Sequence, residues 1–450
     1  MPEMGSGARF VAESPWFAFL CAYGLLAGAV ALRGHVVRIL PVLVGLLPAR
    51  YLTLERDAAT LPWSAAAVLV FVVAYAFSGR WRSAPGAPRC RAMSALCVFL
   101  GCGVLSLVVN GSWSTSLGVL ARLALVIVMF LICARERLRL EDVLIPLSVT
   151  GAAIACSLIL GALRSPASAE GFGLMGAERF GVNVLAVIDV LVIAAWLAAW
   201  PRLERPRRAL GTLLLPFLAV GIVAASSRQA ILALAAVAVL ATLRSFSWRR
   251  MLVGGGALAA ALVILGPSWL SLSKRFTSLV EHLSAEEAVD VSTRYRLIVM
   301  GIGVDMALDH PVLGVGPGRY AVRSLPYAPA DLFRWRGFTA DPVLSLDSPH
   351  CLHLRIADEF GLPGAIAFLA FLAFLAAPLA RHLRGRGPVD SGPLLVMVPL
   401  YLSSLLSDWQ LLSPTMWCFA GLALAAGHPA VGAPPEGRKE ESPCPQTVTA

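Results

Sequence analysis

Charged residues are scarce in this sequence. Aspartate, glutamate, lysine and arginine make up 14% of its 450 residues, whereas hydrophobic residues make up 58%. An ordinary soluble domain carries roughly a quarter charged residues, so the composition excludes that class. Apolar stretches of about 17 to 25 residues recur along nearly the whole chain, and each is long enough to cross a hydrocarbon core roughly 30 Å thick. The sequence therefore predicts an all-α polytopic membrane protein.

The sequence also lacks the usual motifs for binding metals, nucleotides and nucleic acids. It contains no Asp-x-Asp pair, which would hold a divalent ion on a nucleotide-sugar, and its histidines do not have zinc-ligand spacing. The glycine-rich segment Gly314–Gly318 contains no lysine and follows no predicted strand, which excludes a nucleotide-binding loop. The net charge of +10 comes from short arginine clusters and not from a continuous basic face. We therefore expect no metal, no cofactor and no nucleic-acid partner.

Candidate membrane spans lie near residues 16–32, 36–50, 62–78, 93–109, 116–134, 143–163, 182–200, 209–225, 229–243, 251–270, 362–380, 393–408 and 412–427. The second run is short and contains Arg38 and Pro41. We expect that one of the first two runs does not cross the membrane completely, which leaves about 12 transmembrane helices.

Arginine indicates on which side of the membrane each connection lies. Alternate connections are rich in arginine, and they hold Arg80–Arg91, Arg135–Arg139, Arg202–Arg208, Arg244–Arg250 and Arg381–Arg386. The short connections between them contain only Arg56, Arg164, Arg179 and Arg228. Because arginine-rich short connections stay in the cytoplasm, the long segment 271–361 is predicted to face the periplasm.

These assignments divide the chain into four predicted parts. Residues 1–270 form the N-terminal transmembrane helices, and 271–361 form one large, mainly helical periplasmic loop that carries the catalytic groups. Residues 362–428 form the C-terminal transmembrane helices. Residues 429–450 are rich in proline and charge, which predicts a disordered cytoplasmic tail.

Local sequence predicts two helices and a turn within the loop. The apolar spacing of Arg294–Asp309 predicts a helix that Pro311 ends, and GVGPG at Gly314–Gly318 predicts a tight turn. A second helix is predicted to begin with Ser348 as its N-cap and to end just before Gly361.

His350 is the candidate general base. With Pro349 at the first helical position, His350 falls in the first turn, where exposed backbone amides disfavour an imidazolium. A neutral imidazole there can accept a proton. The alternative interpretation is a histidine that caps the helix or faces solvent.

Arginine side chains frame the same region. The loop contains Arg294, Arg296, Arg323, Arg334 and Arg336, and Arg228 lies at the mouth between two apolar runs. A guanidinium group stays charged and binds phosphate oxygens in pairs, which predicts a diphosphate site. The alternative for Arg228 is an arginine that snorkels to the lipid headgroups.

Three blocks of the sequence resemble the O-antigen ligase and polymerase family. They are SSRQAILALAAVAVL from Ser226, RLIVMGIGVDMALDHPVLGVGPGRY from Arg296 and SPHCLHLRIADEFGLPG from Ser348. Each block is a weak match by itself, but the three occur in the family's order and topology. The resemblance implies a GT-C-like helical fold in the bacterial inner (cytoplasmic) membrane, with the active site facing the periplasm.

The family's functional residues match particular positions here. Arg228 matches the arginine between adjacent spans, Arg296 matches the arginine ahead of D-H-P-x-x-G-V-G-P-G, and His350 matches the catalytic histidine. Glu359 and Gly361 match the E-x-G that follows.

Two positions depart from the family pattern. The family usually has asparagine after the histidine, where this chain has Cys351, so no role is assigned to that side chain. Arg294 is two residues from the expected spacing and is either a second diphosphate ligand or a charge at the rim of the site.

The resemblance implies an O-antigen ligase of lipopolysaccharide biosynthesis that works without metal or cofactor. Its donor is a glycan linked to undecaprenyl diphosphate, its acceptor is a lipid A-core hydroxyl, and membrane lipids surround it. On this hypothesis His350 removes the acceptor proton, while Arg228 and Arg296 stabilise the departing diphosphate. A single displacement inverts the anomeric configuration.

Two other functions stay open at this point. An O-antigen polymerase shares the donor and much of the motif pattern but extends a lipid-linked glycan. A transporter also has many spans and membrane-embedded charges, but it is expected to show two repeat-related halves, and the two halves of this sequence differ plainly.

Charged residues also fall inside the apolar runs. Arg122 and Asp189 are functional candidates because a charge in the membrane is costly, and the alternative is that they pair structurally. His310 and His353 are interpreted as turn or helix-surface histidines.

Overall fold

The computed structural model describes residues 28–52, 63–80, 91–111, 113–164, 177–225, 227–244, 291–329, 346, 348–383, 392–408 and 410–426. These residues form helices and contain no strand. The α-helices are α1 (Val36–Leu46), α2 (Trp63–Phe77), α3 (Arg91–Asn110), α4 (Trp113–Arg135), α5 (Leu140–Arg164), α6 (Ala177–Ala199), α7 (Arg205–Ala224), α8 (Arg228–Arg244), α9 (Val291–Asp309), α10 (Tyr320–Arg323), α11 (Leu352–Leu383), α12 (Gly392–Ser404) and α13 (Pro414–Ala426). The predicted helical class is therefore confirmed.

Each predicted apolar run that the structure describes contains a helix. Six of the described helices, α3 to α7 and α11, are long and apolar enough to cross a membrane, and α1, α2, α8, α12 and α13 are apolar but shorter. Most of run 16–32, run 251–270 and the predicted tail lie outside the described residues. The total of about 12 spans and the four-part division stay predictions.

Helix α6 lies at the centre of the bundle. It packs against α5, α7, α8 and α12, and 83% of its apolar window is buried, compared with 33% for α7. Close approach explains part of this burial. A Cβ atom added at Gly211 of α7 would lie 2.6 Å from the ring of Trp196 on α6, so only glycine lets the two helices pack at this distance.

The two charged residues inside the apolar runs do not pair with each other. Asp189 is fully buried in α6, and its carboxylate oxygens have no hydrogen-bond partner among the described residues. Arg122 instead lies on an exposed face of α4. The structural-pair interpretation of these two residues is therefore wrong.

Helix α9 and the first part of α11 lie side by side and run in the same direction. Tyr295, near the start of α9, contacts His350 just before α11. Further along, a Cβ atom added at Gly303 would lie 3.1 Å from Asp358 Oδ2. At the far end, the Leu362 backbone N–H donates to the Pro311 carbonyl at 2.7 Å.

A break at Gly361 divides α11 into two parts. Gly361 has a φ of 77°, so the helix is interrupted there, as the sequence predicts. The GVGPG turn fills the break, because Val315 N–H donates to the Asp358 carbonyl at 2.7 Å and Gly316 N–H donates to the Glu359 carbonyl at 3.2 Å. The turn thereby binds helix carbonyls that the break leaves without helical partners. It also fixes the direction of the short N-terminal part of α11.

Candidate active site

His350 lies before helix α11 and not in its first turn. The helix begins at Leu352, and the Cys351 carbonyl accepts the first helical hydrogen bond, from Arg355 N–H at 3.0 Å. The predicted N-cap at Ser348 is therefore wrong. The physical reason is local, since the Ser348 hydroxyl accepts a hydrogen bond from His350 N–H at 3.0 Å, and such serine turns compete with helix formation.

The backbone at His350 is unusual. Its φ is 51°, in the left-handed region that residues other than glycine rarely adopt. Such conformations cost about 1–3 kcal/mol and cluster at functional sites. The half-buried imidazole packs edge-on against the ring of Tyr295, with centroids 5.4 Å apart.

Two predicted arginines are the sequence neighbours of Tyr295. Arg294 and Arg296 flank Tyr295 in the first turns of α9, and the Arg296 side chain is half-buried. Of Arg294, the structure describes the helical backbone only. The start of α9 and His350, the residue ahead of Cys351 and α11, therefore lie next to each other.

Arg228 is the first residue of α8. Ser227 caps this helix, since its hydroxyl accepts a hydrogen bond from Ala230 N–H at 3.3 Å. The neighbouring Gln229 Nε2 donates to the Ser403 carbonyl at 2.9 Å and to Ser407 Oγ at 3.3 Å. These bonds attach the start of α8 to Ser403–Asp408, which we name the junction segment.

The junction segment also holds α11. Arg355 Nη1 lies 2.5 Å from Asp408 Oδ2, and Arg355 Nε lies 3.3 Å from Glu359 Oε1. The helix that follows His350 and the helix that begins with Arg228 are thus attached to the same short segment. Contacts therefore connect His350 directly to Tyr295 at the start of α9, and they connect α11 to the start of α8 through the junction segment.

Asn110 and Arg319 support the GVGPG turn. Arg319 Nη1 donates to the Asn110 carbonyl at 3.4 Å, and Asn110 Nδ2 donates to the Gly314 carbonyl at 3.2 Å. Burial and the positive charge of Arg323 lower the pKa of Arg319. Arg323 itself is exposed, whereas Arg334 and Arg336 lie outside the described residues.

His310 and His353 differ from each other in their surroundings. His310 is exposed in the turn after α9, as predicted. His353 is half-buried, with its ring packed against Phe368 and Tyr401 and its Nε2 3.4 Å from Ser404 Oγ. It is therefore an inter-helix residue and not a helix-surface residue.

Sequence reasoning missed Tyr295, Gln229, Arg355, Asp358 and Asp408. Asp358 is fully buried, and both its carboxylate oxygens lack a hydrogen-bond partner within the described part of the chain. One signal was available, because Arg355, Asp358 and Glu359 place three charges in a short apolar stretch, where each charge needs a reason.

A comparison with known protein families finds a match that covers the predicted site residues. The family model for O-antigen ligase matches residues 213–369. Over this segment the chain is therefore similar to the O-antigen ligase family. The match covers Arg228, Arg294, Arg296 and His350, and it extends from within α7 into α11. A comparison with curated proteins finds no match.

The match confirms the resemblance that the three sequence blocks indicate. Members of the O-antigen ligase family are membrane glycosyltransferase-type enzymes of glycan assembly. The apolar helices of this chain agree with that membrane character. In this family context, the region formed by His350 and the start of α9 is the candidate active site.

Proposed function

We propose that this protein is an O-antigen ligase that transfers a polysaccharide from undecaprenyl diphosphate to a hydroxyl of lipid A-core. The supporting observation is the contact of the His350 ring with Tyr295 within the matched family segment. Arg294 and Arg296 are the residues immediately before and after Tyr295 in the sequence. The arginine distribution supports a multi-pass protein of the bacterial inner membrane with this site on the periplasmic side.

The proposed reaction is a single displacement. The acceptor hydroxyl oxygen attacks the anomeric carbon, the bond from that carbon to the diphosphate oxygen breaks, and His350 takes the hydroxyl proton. The leaving diphosphate keeps the bonding electron pair. The anomeric configuration is inverted because the acceptor enters opposite the leaving group. This displacement needs no metal, cofactor or covalent intermediate.

Guanidinium groups stabilise the charge that develops on the leaving diphosphate. Arg228 and Arg296 are proposed for this role, and Arg294 is proposed as a further diphosphate ligand. By analogy with other charge-stabilising donors, each of the first two supplies about 2–4 kcal/mol in the transition state, which corresponds to about 10² to 10³ in rate.

The test is a reconstituted transfer assay. Purified full-length protein is incubated with lipid-linked glycan, with and without lipid A-core. A ligase gives a glycan-lipid A-core product only when lipid A-core is present. Lengthening of the lipid-linked glycan without lipid A-core would instead identify an O-antigen polymerase, and no transfer in either case would contradict both proposals.

A further inference from the structure

Arg355 stands at the centre of a buried charge cluster. Its side chain is 22% exposed, while those of Glu359 and Asp408 are 0% and 10% exposed. One carboxylate belongs to α11 and the other to the junction segment, which is about 50 residues further along the chain. A single guanidinium therefore links two separate elements of the fold.

The cluster also reaches the GVGPG turn and the bundle. The Gly316 backbone N–H in the turn donates to the Glu359 carbonyl at 3.2 Å. The Ser106 hydroxyl on α3 donates to the Glu359 carbonyl at 2.9 Å. Arg355 and Glu359 together therefore connect α11 to the junction segment, to the turn and to α3.

General stability alone is a weak reason for such a cluster. Removing charged groups from water costs several kcal/mol per ion, and well-packed apolar residues often stabilise a buried site as well or better. An ion cluster does, however, specify one arrangement, because a planar guanidinium binds two carboxylates in a fixed geometry. Here it holds α11, which follows His350, against the junction segment, to which Gln229 attaches the start of α8.

We propose that Arg355 is a positioning residue for glycan transfer. By binding Asp408 and Glu359 together, it holds the N-terminal part of α11 against the junction segment, to which Gln229 attaches the start of α8. It thereby sets the position of the proton acceptor His350 relative to the diphosphate ligand Arg228. This inference rests on the proposed function, in which Arg355 is assigned no contact with either substrate.

The decisive variant is Arg355→Lys. Lysine keeps the buried positive charge, but its ammonium group does not offer the two-sided geometry that holds both carboxylates. We expect kcat to fall about tenfold, which corresponds to about 1.4 kcal/mol, while the KM for the lipid-linked donor and the melting temperature stay close to wild type. Asp408→Glu, which keeps the charge and shifts the carboxylate, should give the same result.

Hydrogen exchange provides a readout that does not depend on activity. In both variants, amide exchange should accelerate in residues 352–360 and 403–408 and stay unchanged in α6. The matched control is Arg202→Lys, because Arg202 forms an ion pair with Glu141 at 2.9 Å and belongs to a connection that is predicted to face the cytoplasm. This control should keep wild-type kcat and exchange.

Several outcomes would overturn the proposal. They are wild-type kcat in Arg355→Lys, unchanged exchange in the junction segment, and a loss of kcat that only follows the loss of folded protein. Where Arg355→Lys does not fold, Asp408→Glu decides by the same criteria. If the wild-type protein transfers no glycan, the proposed function fails, and the exchange data still decide whether Arg355 holds the junction segment.

Discussion

The bundle around α6 and the site region around the start of α11 are both buried, but different interactions hold them. In the bundle, apolar side chains and glycines pack closely, as Gly211 packs against Trp196. In the site region, backbone hydrogen bonds, a left-handed His350 and an ion cluster define the arrangement. Apolar packing tolerates substitutions that keep volume, whereas the site region depends on individual polar atoms. Substitutions that separate stability from turnover test this contrast.

The largest effect is expected at the helix break. A Cβ atom added at Gly361 would lie 2.3 Å from the Val312 carbonyl oxygen, and the positive φ adds strain. Gly361→Ala should therefore separate the GVGPG turn from α11, destabilise the protein by about 2 kcal/mol or more, and abolish measurable transfer. Thermal unfolding and the transfer assay measure the two effects.

Gly101→Ala is the matched control for the helix break. Gly101 lies in α3, and a Cβ atom there would meet nothing within 4 Å. This variant should gain up to about 1 kcal/mol in stability and keep wild-type transfer. Equal behaviour of the two alanine variants would show that the break does not shape the site.

An intermediate effect is expected at Tyr295. Aromatic pairs contribute about 0.5–1.5 kcal/mol, so loss of the ring beside His350 should lower kcat about two- to tenfold. Tyr295→Ala should show this loss with little change in donor KM, and Tyr295→Phe should restore kcat because it keeps the ring. Steady-state kinetics measure kcat and donor KM for the two variants.

Tyr327→Ala is the control for Tyr295. Tyr327 and Tyr295 pack against the same buried apolar cluster, and the Tyr327 hydroxyl donates to Asp309 Oδ2 at 2.9 Å. The cluster consists of Val299, Ile302, Met306, Val315, Tyr320 and Leu346. This variant should affect stability and leave kcat unchanged. If Tyr295→Ala also kept its kcat, the ring contact with His350 would have no role in turnover.

The smallest effect is expected at Cys351. Its carbonyl accepts the first hydrogen bond of α11, so position 351 is an N-cap, where asparagine stabilises a helix better than residues without a capping oxygen. Cys351→Asn should raise stability by about 1 kcal/mol with unchanged kcat, and Cys351→Ala should give no gain. A fall in kcat for the asparagine variant alone would assign position 351 a different role.

Local sequence predicted much of the fold. Apolar length located the helices, and the glycines predicted both the turn at Gly314–Gly318 and the end of the first part of α11 at Gly361. The start of α11 was predicted wrongly, because the Ser348 hydroxyl binds the His350 amide and shifts the first helical residue to Leu352. Capping patterns do not reveal which of two local hydrogen bonds forms.

Long-range contacts could not be predicted from the sequence. The parallel packing of α9 and α11, which brings Tyr295 to His350, depends on the tertiary fold. The attachment of Arg355 to Asp408 joins residues far apart in the chain, and no spacing rule indicates it. The family resemblance identified His350, Arg228 and Arg296, but it gave no information about the groups that hold them.

Turnover of His350→Ala in the reconstituted transfer assay tests the central claim most directly. General base catalysis typically contributes about 10² to 10⁴ in rate, so the variant should lose that much kcat while its melting temperature and donor binding stay close to wild type. His310→Ala, at an exposed turn residue, should transfer glycan normally. Wild-type turnover in His350→Ala would contradict the account.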